Sequence, residues 1–161
     1  MTTPTPLHAT EIPAQRIDAA HRQATIITGV IGGSLVVYAA LIEALRRVLP
    51  PAGDFDGFDM LRIALFAISG VLVFTSTVLK GVLLRNPPPD GEMRIARLRT
   101  AAIITAAFAE VPAILGVVLF VLGRTSSDFY ILLVVSVYML VRHFPRREQW
   151  DHYIRGTRAV R

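Results

Sequence analysis

The chain of 161 residues has no cysteine, one lysine and one tryptophan, and only 18% of its residues are charged. Without cysteine there are no disulfides, no thiolate nucleophile and no sulfur-based zinc or iron–sulfur centre. A soluble domain carries about 25% charged residues, whereas this chain couples its low charge to 53% hydrophobic residues. The charges are also clustered, which leaves long uncharged runs and excludes both a disordered chain and a basic soluble nucleic-acid module. No glycine-rich phosphate loop is present, and the serines and threonines of the runs have no His or Lys beside them in a nucleophile motif. The four histidines, His8, His21, His143 and His152, lie outside the uncharged runs and form no metal-ligand spacing. No catalytic residue, metal, cofactor or enzymatic activity is therefore expected.

Four apolar stretches remain. Residues 23–42 form a run of 20 without a charge. Residues 63–79 are extended by Arg62 and Lys80, whose long stems can snorkel. Residues 100–123 are interrupted only by Glu110, and residues 129–141 reach spanning length through their flanks. Since a helix needs about 20 residues to cross the hydrocarbon core, the expected fold is all-α. It is a four-span transmembrane helical bundle with spans at about 23–45, 61–84, 100–123 and 128–144. Segment 1–22 precedes the bundle and a basic tail, 145–161, follows it. The first run exceeds the roughly 7–15 apolar residues of a signal peptide and is read as a retained span. Segment 2–6 has no periodicity and is expected to be disordered.

An even number of spans puts the termini and the middle loop on one side. Thirteen cations fall there: Arg16, Arg22, Lys80, Arg85, Arg94, Arg97, Arg99, Arg142, Arg146, Arg147, Arg155, Arg158 and Arg161. Four fall opposite, namely Arg46, Arg47, Arg62 and Arg124. This bias puts both termini and loop 85–99 on the cytoplasmic side, and the expected location is a bacterial inner membrane. The opposite loop, 43–60, is rich in turn formers and acids: Pro50, Pro51, Gly53, Asp54, Asp56, Gly57 and Asp59. The short link 124–128 makes the last two spans an antiparallel pair. In the tail, Trp150, Tyr153 and Ile154 can share one helical face, as an interfacial segment on anionic lipid headgroups would. No nucleic-acid partner is expected.

Glu110 is the residue most costly where it sits. It follows Arg99 by 11 positions, about 16 Å along a helix and hence near the midplane. A charge there costs at least a few kcal/mol, so the default reading of such a residue is functional. Matching depths offer Ser34, Thr75 and Ser76 as hydroxyl partners. A stripe of small residues, Ala102, Ala106, Ala109, Ala113 and Gly116, permits close helix approach, and Gly29 with Gly33 gives the first span a comparable face. Pro112 removes an amide donor two residues beyond Glu110 and frees the Phe108 carbonyl, a kink site. Glu43 lies at the far interface, where Arg46 and Arg47 can pair with it. A faint echo at offset 77 relates Arg22, Ala24, Ile26, Ile27 and Thr28 to Arg99, Ala101, Ile103, Ile104 and Thr105, as a duplicated two-helix unit would.

Arg85-Asn86-Pro87, followed by Ala107-Phe108-Ala109-Glu110 and Pro112-Ala113-Ile114, resembles the hairpin of the proteolipid c subunit of F-type ATP synthases over residues 80–123. The resemblance implies a cytoplasmic loop at 85–87, a proton- or cation-binding role for Glu110, and an oligomer. The chain departs from that family in having only Gly70 and Gly81 where the family's first helix alternates glycines, and in the two further spans. The alternative reading is a structural or accessory membrane protein that docks a partner and handles no ion.

Overall fold

Hydropathy marks the apolar stretches, but caps and prolines set where the helices end. The computed structural model describes residues 13–50 and 56–155, all of whose regular elements are α-helices. Helix α1 (Ala14–Val48) starts behind Pro13, whose fixed φ suits a helix start, and stops at the residue pair Leu49-Pro50. Helix α2 (Phe58–Arg85) follows Gly57, held at φ 90° where glycine alone is unstrained, and ends before Asn86-Pro87. Helix α3 (Gly91–Gly123) is capped by the Asp90 carboxylate, which accepts the Glu92 amide at 3.2 Å. Helix α4 (Ser126–His143) stops before Pro145, and α5 (Arg147–Arg155) is a short helix within the basic tail. Pro51, Gly53, Asp54, His8, Arg158, Arg161 and segment 2–6 lie outside the described residues.

Two helices begin earlier than the apolar runs. α1 starts at residue 14 instead of 23 and α3 at 91 instead of 100, so the non-helical part of the expected 85–99 loop is only 86–90. The prolines and Asp90 dictate that start, and the charged first turns project as helix. Three helices, α1, α2 and α3, are long and apolar enough to cross a membrane. The 18-residue α4 counts as a fourth only together with α5, from which it bends by 46°.

The helices run alternately up and down. At one end Arg16 of α1 pairs with Glu92 of α3, Asp18 with Arg147 of α5 at 2.7 Å, and Arg94 Nη1 donates to the Ile154 carbonyl at 2.9 Å. At the other end Tyr130 of α4 donates to Glu43 of α1 at 3.3 Å, and Arg62 of α2 meets Asp128 of α4 at 2.8 Å. Helix α3 is the hub and packs against all four others. The later part of its small-residue stripe forms the seam with α4: Ala109 and Ala113 are fully buried, and a Cβ added to Gly116 would lie 3.1 Å from the Phe129 Cα, while Ala102 packs at the α1–α5 end. By contrast α2 buries only Ser69 and Ser76, two turns apart, and leaves its apolar surface exposed.

Two expectations are corrected here. Gly29 and Gly33 do not pack against another helix of this chain; both are exposed, and a Cβ added to either would meet nothing within 4 Å. The reason is the rotation of α1, which turns Gly32 toward Leu140 at 3.2 Å instead. The tail helix does not lay Trp150 and Ile154 on lipid. Both are buried, at 3% and 4% exposure, in a cluster with Ile17, Ala24 and Leu98, so α5 closes the end of the bundle. The offset-77 echo has a structural counterpart: Thr28 donates to the Ala24 carbonyl at 2.9 Å and Thr105 to that of Ala101 at 2.8 Å, with all four residues buried.

Substituting the seam should be costly where the outward glycines are not. Gly116→Leu is expected to lower stability by roughly 1–3 kcal/mol, the usual overpacking penalty, whereas Gly29→Leu should leave the thermal midpoint in detergent unchanged. Equal midpoints for the two variants would remove Gly116 from the seam.

Candidate functional site

Glu110 sits half-buried on α3, beside the seam, and turns its carboxyl toward α1. Two hydroxyls converge on one oxygen: Ser34 Oγ lies 2.6 Å and Tyr38 Oη 2.8 Å from Oε1. They are four residues apart on α1 and therefore share a face. A proton carried on that same oxygen would lie between Glu110 and Ser34.

Ser34 has one proton and two acceptors to choose between. Its Oγ is also 2.7 Å from the Ile31 carbonyl of its own helix. When Glu110 is charged, Ser34 and Tyr38 can both donate to it. When Glu110 is protonated, its carboxyl can donate to Ser34 Oγ, and the serine proton turns to Ile31. A hydroxyl has both donor and acceptor capacity, so this geometry accommodates either state without leaving a buried group unpaired.

The backbone behind Glu110 is interrupted by Pro112, which is buried within α3. At the next residue, the Ala113 amide donates across the seam to Ser136 Oγ of α4 at 2.8 Å. The turn that proline loosens is therefore tied to a neighbouring helix rather than left open.

Of the hydroxyls proposed by depth, only Ser34 reaches the carboxyl. Ser76 is buried but donates to the Val73 carbonyl at 2.9 Å, and Thr75 is exposed; neither is hydrogen-bonded to Glu110. Tyr38 was not anticipated. Its backbone is a turn beyond Glu110 in depth, and helical side chains lean back toward the N-terminus, which returns its hydroxyl to the right level. An i, i+4 search from Ser34 would have found it.

A second buried acid occupies the opposite end. Asp128 is 1% exposed and faces Arg62, whose guanidinium is half-exposed. The contact is within ion-pair distance but is not aligned as a hydrogen bond, so both Asp128 oxygens lack a hydrogen-bond partner among the described residues. Sequence alone placed Asp128 in a turn, where burial leaves no trace. Among the described residues no group of His, Asp and Glu could hold a metal ion.

Comparison with protein-family models, curated proteins and solved structures finds no match to this chain.

The Ser136 tie gives a direct prediction. Ser136→Ala removes the cross-helix acceptor of the Ala113 amide and should cost about 1 kcal/mol. The expected sign is a lowered thermal midpoint with faster amide hydrogen exchange at 108–113, and unchanged exchange there would show that the helix closes without Ser136.

Proposed function

We propose that this chain is a four-span protein of a bacterial cytoplasmic membrane in which Glu110 reversibly binds a proton or a small cation, in the manner of the c-type proteolipid its central hairpin resembles. The observation that carries the reading is the Ser34 hydroxyl, poised between Glu110 Oε1 and the Ile31 carbonyl. A carboxyl meant only to pack needs one fixed pattern of hydrogen bonds. This one has an alternative pattern for each protonation state, and hard oxygen donors for a cation. Its partners come from α1, outside the resembling hairpin, so the site is complete within one chain. The role is one of binding, without catalytic turnover.

The orientation follows from unpaired charge. At the outer end Glu43 is bonded to Arg46 at 2.8 Å and Arg47 at 3.5 Å, and Asp128 faces Arg62. At the other end Arg22, Lys80, Arg85, Arg99 and Arg146 have no carboxylate in ion-pair contact among the described residues. Excess positive charge thus concentrates where α1 begins and α4 ends, which favours cytoplasmic termini.

A second reading is supported by the same two hydroxyls. Ser34 and Tyr38 join α1 to α3 through one oxygen, as interhelical glue would, and the exposed apolar surface of α2 offers a face for another copy or a different membrane protein. In that case the chain is an accessory protein and Glu110 exchanges nothing.

A hydrophobic carbodiimide separates the two, since it modifies a protonated, accessible carboxyl. Glu110 is expected to be labelled in the wild type, to lose all label in Glu110→Gln, and to be protected by the bound cation if a cation is exchanged. In difference infrared spectra, the carboxyl band should shift in Ser34→Ala and be retained in Ser34→Thr. No Glu110 adduct, even at acidic pH, falsifies ion exchange and leaves the glue reading.

A further inference from the structure

A cavity of about 470 Å³ opens where α2, α3 and α4 meet α5, at the end of the bundle that carries the unpaired cations. Its size is that of small-molecule sites in general. Its wall is mainly apolar, formed by Leu84 of α2, Leu98 and Ala101 of α3, and Trp150 and Tyr153 of α5. Two basic side chains are set into that wall, Lys80 from α2 and His143 from α4. Glu110 is not part of it.

Lys80 is the only lysine of the chain, and it is half-buried. No carboxylate is in ion-pair contact with it among the described residues, and the charged groups acting on it and on His143 include Arg146 and Arg142, both cations. A partly desolvated ammonium facing like charges is unfavourable until an anion is added. Glu148 and His152 also line the cavity, but from the exposed side of α5. The ring of Tyr153 adds to the apolar wall, while its hydroxyl is buried away from the space.

An apolar wall and an ammonium with no carboxylate in ion-pair contact suit a ligand with a hydrocarbon part and an anionic head. We propose that this cleft binds one acidic phospholipid, with its phosphate at Lys80 and an acyl chain along Leu84 and Leu98. A zwitterionic headgroup fits less well, because its ammonium would meet Lys80 and Arg146. The lipid is held in a cleft beneath α5, which Trp150 and Ile154 anchor on Ile17, Ala24 and Leu98.

The cavity carries its own reporter, since Trp150 is the only tryptophan. With the full chain in detergent micelles, phosphatidylglycerol with brominated acyl chains should quench Trp150 at lower mole fraction than brominated phosphatidylcholine. Lys80→Gln should raise the half-quenching fraction for phosphatidylglycerol about fivefold, the effect of one basic residue at an anionic headgroup. Lys80→Arg should restore it, and Ala102→Phe, which fills the cavity without touching charge, should reduce quenching by both lipids. Equal quenching by the two lipids, or no effect of Lys80→Gln, overturns the proposal. Displacement by inorganic phosphate alone also overturns it, by assigning the site to a free anion. Should Lys80→Gln undock α5, seen as a red shift of Trp150 emission before lipid is added, Ala102→Phe decides: undiminished quenching there rejects the cleft.

Discussion

The close approach of α3 to α4 is the constraint from which the rest of the bundle follows. It depends on residues with almost no side chain: Ala109 and Ala113 are fully buried, and Gly116 lies against the backbone of Phe129. In a membrane, helices gain little from hydrophobicity relative to lipid, so van der Waals contact at such seams supplies much of the association. Once the seam is set, Ser136 lies within reach of the Ala113 amide, and the break imposed by Pro112 is tolerated. The short turn 124–125 then brings Asp128 inward to Arg62. The seam occupies one face of α3, and Glu110, on the border of that face, is directed to α1 by default.

This arrangement explains why a carboxyl can sit so deep. The polar groups bonded to it come from α1, and both are hydroxyls, which cost less to bury than a charged partner. An arginine opposite Glu110 would fix it as an ion pair. Two hydroxyls bring no charge, and the serine can reverse its role between donor and acceptor. The same chemistry does not extend to Asp128, whose neighbour is a guanidinium and whose site is therefore electrostatic and static.

Much of this was legible in the sequence, and what was not has physical reasons. The three long helices were visible because uncharged runs of membrane length have few other uses. Glu110 stood out as one acid in an apolar run, and the stripe ending at Gly116 had the right spacing. Ser34 was found by depth alone. Thr75 and Ser76 had the same depth but the wrong azimuth, and depth matching contains no azimuth. Gly29 and Gly33 failed for that reason too, since α1 turns Gly32 inward. The tail was the largest misreading. Trp150, Tyr153 and Ile154 share a face as expected, yet a face shows only that something apolar covers it, and Ile17, Ala24 and Leu98 do so here.

The docking of α5 also changes the meaning of the charge asymmetry. Thirteen cations against four is a topological statement when the residues are spread along loops. In the folded chain some of that excess is consumed internally: Arg16 on Glu92, Arg147 on Asp18, and Arg94 on the carbonyls of Pro88 and Ile154. These contacts hold α5 and the amino-terminal turns of α1 and α3 together as a cap. Building the cap leaves a space beneath it, and the cation left in that space is Lys80. Excess positive charge therefore divides into two parts at this end of the molecule. Part of it staples the cap, and the remainder has no carboxylate in ion-pair contact among the described residues.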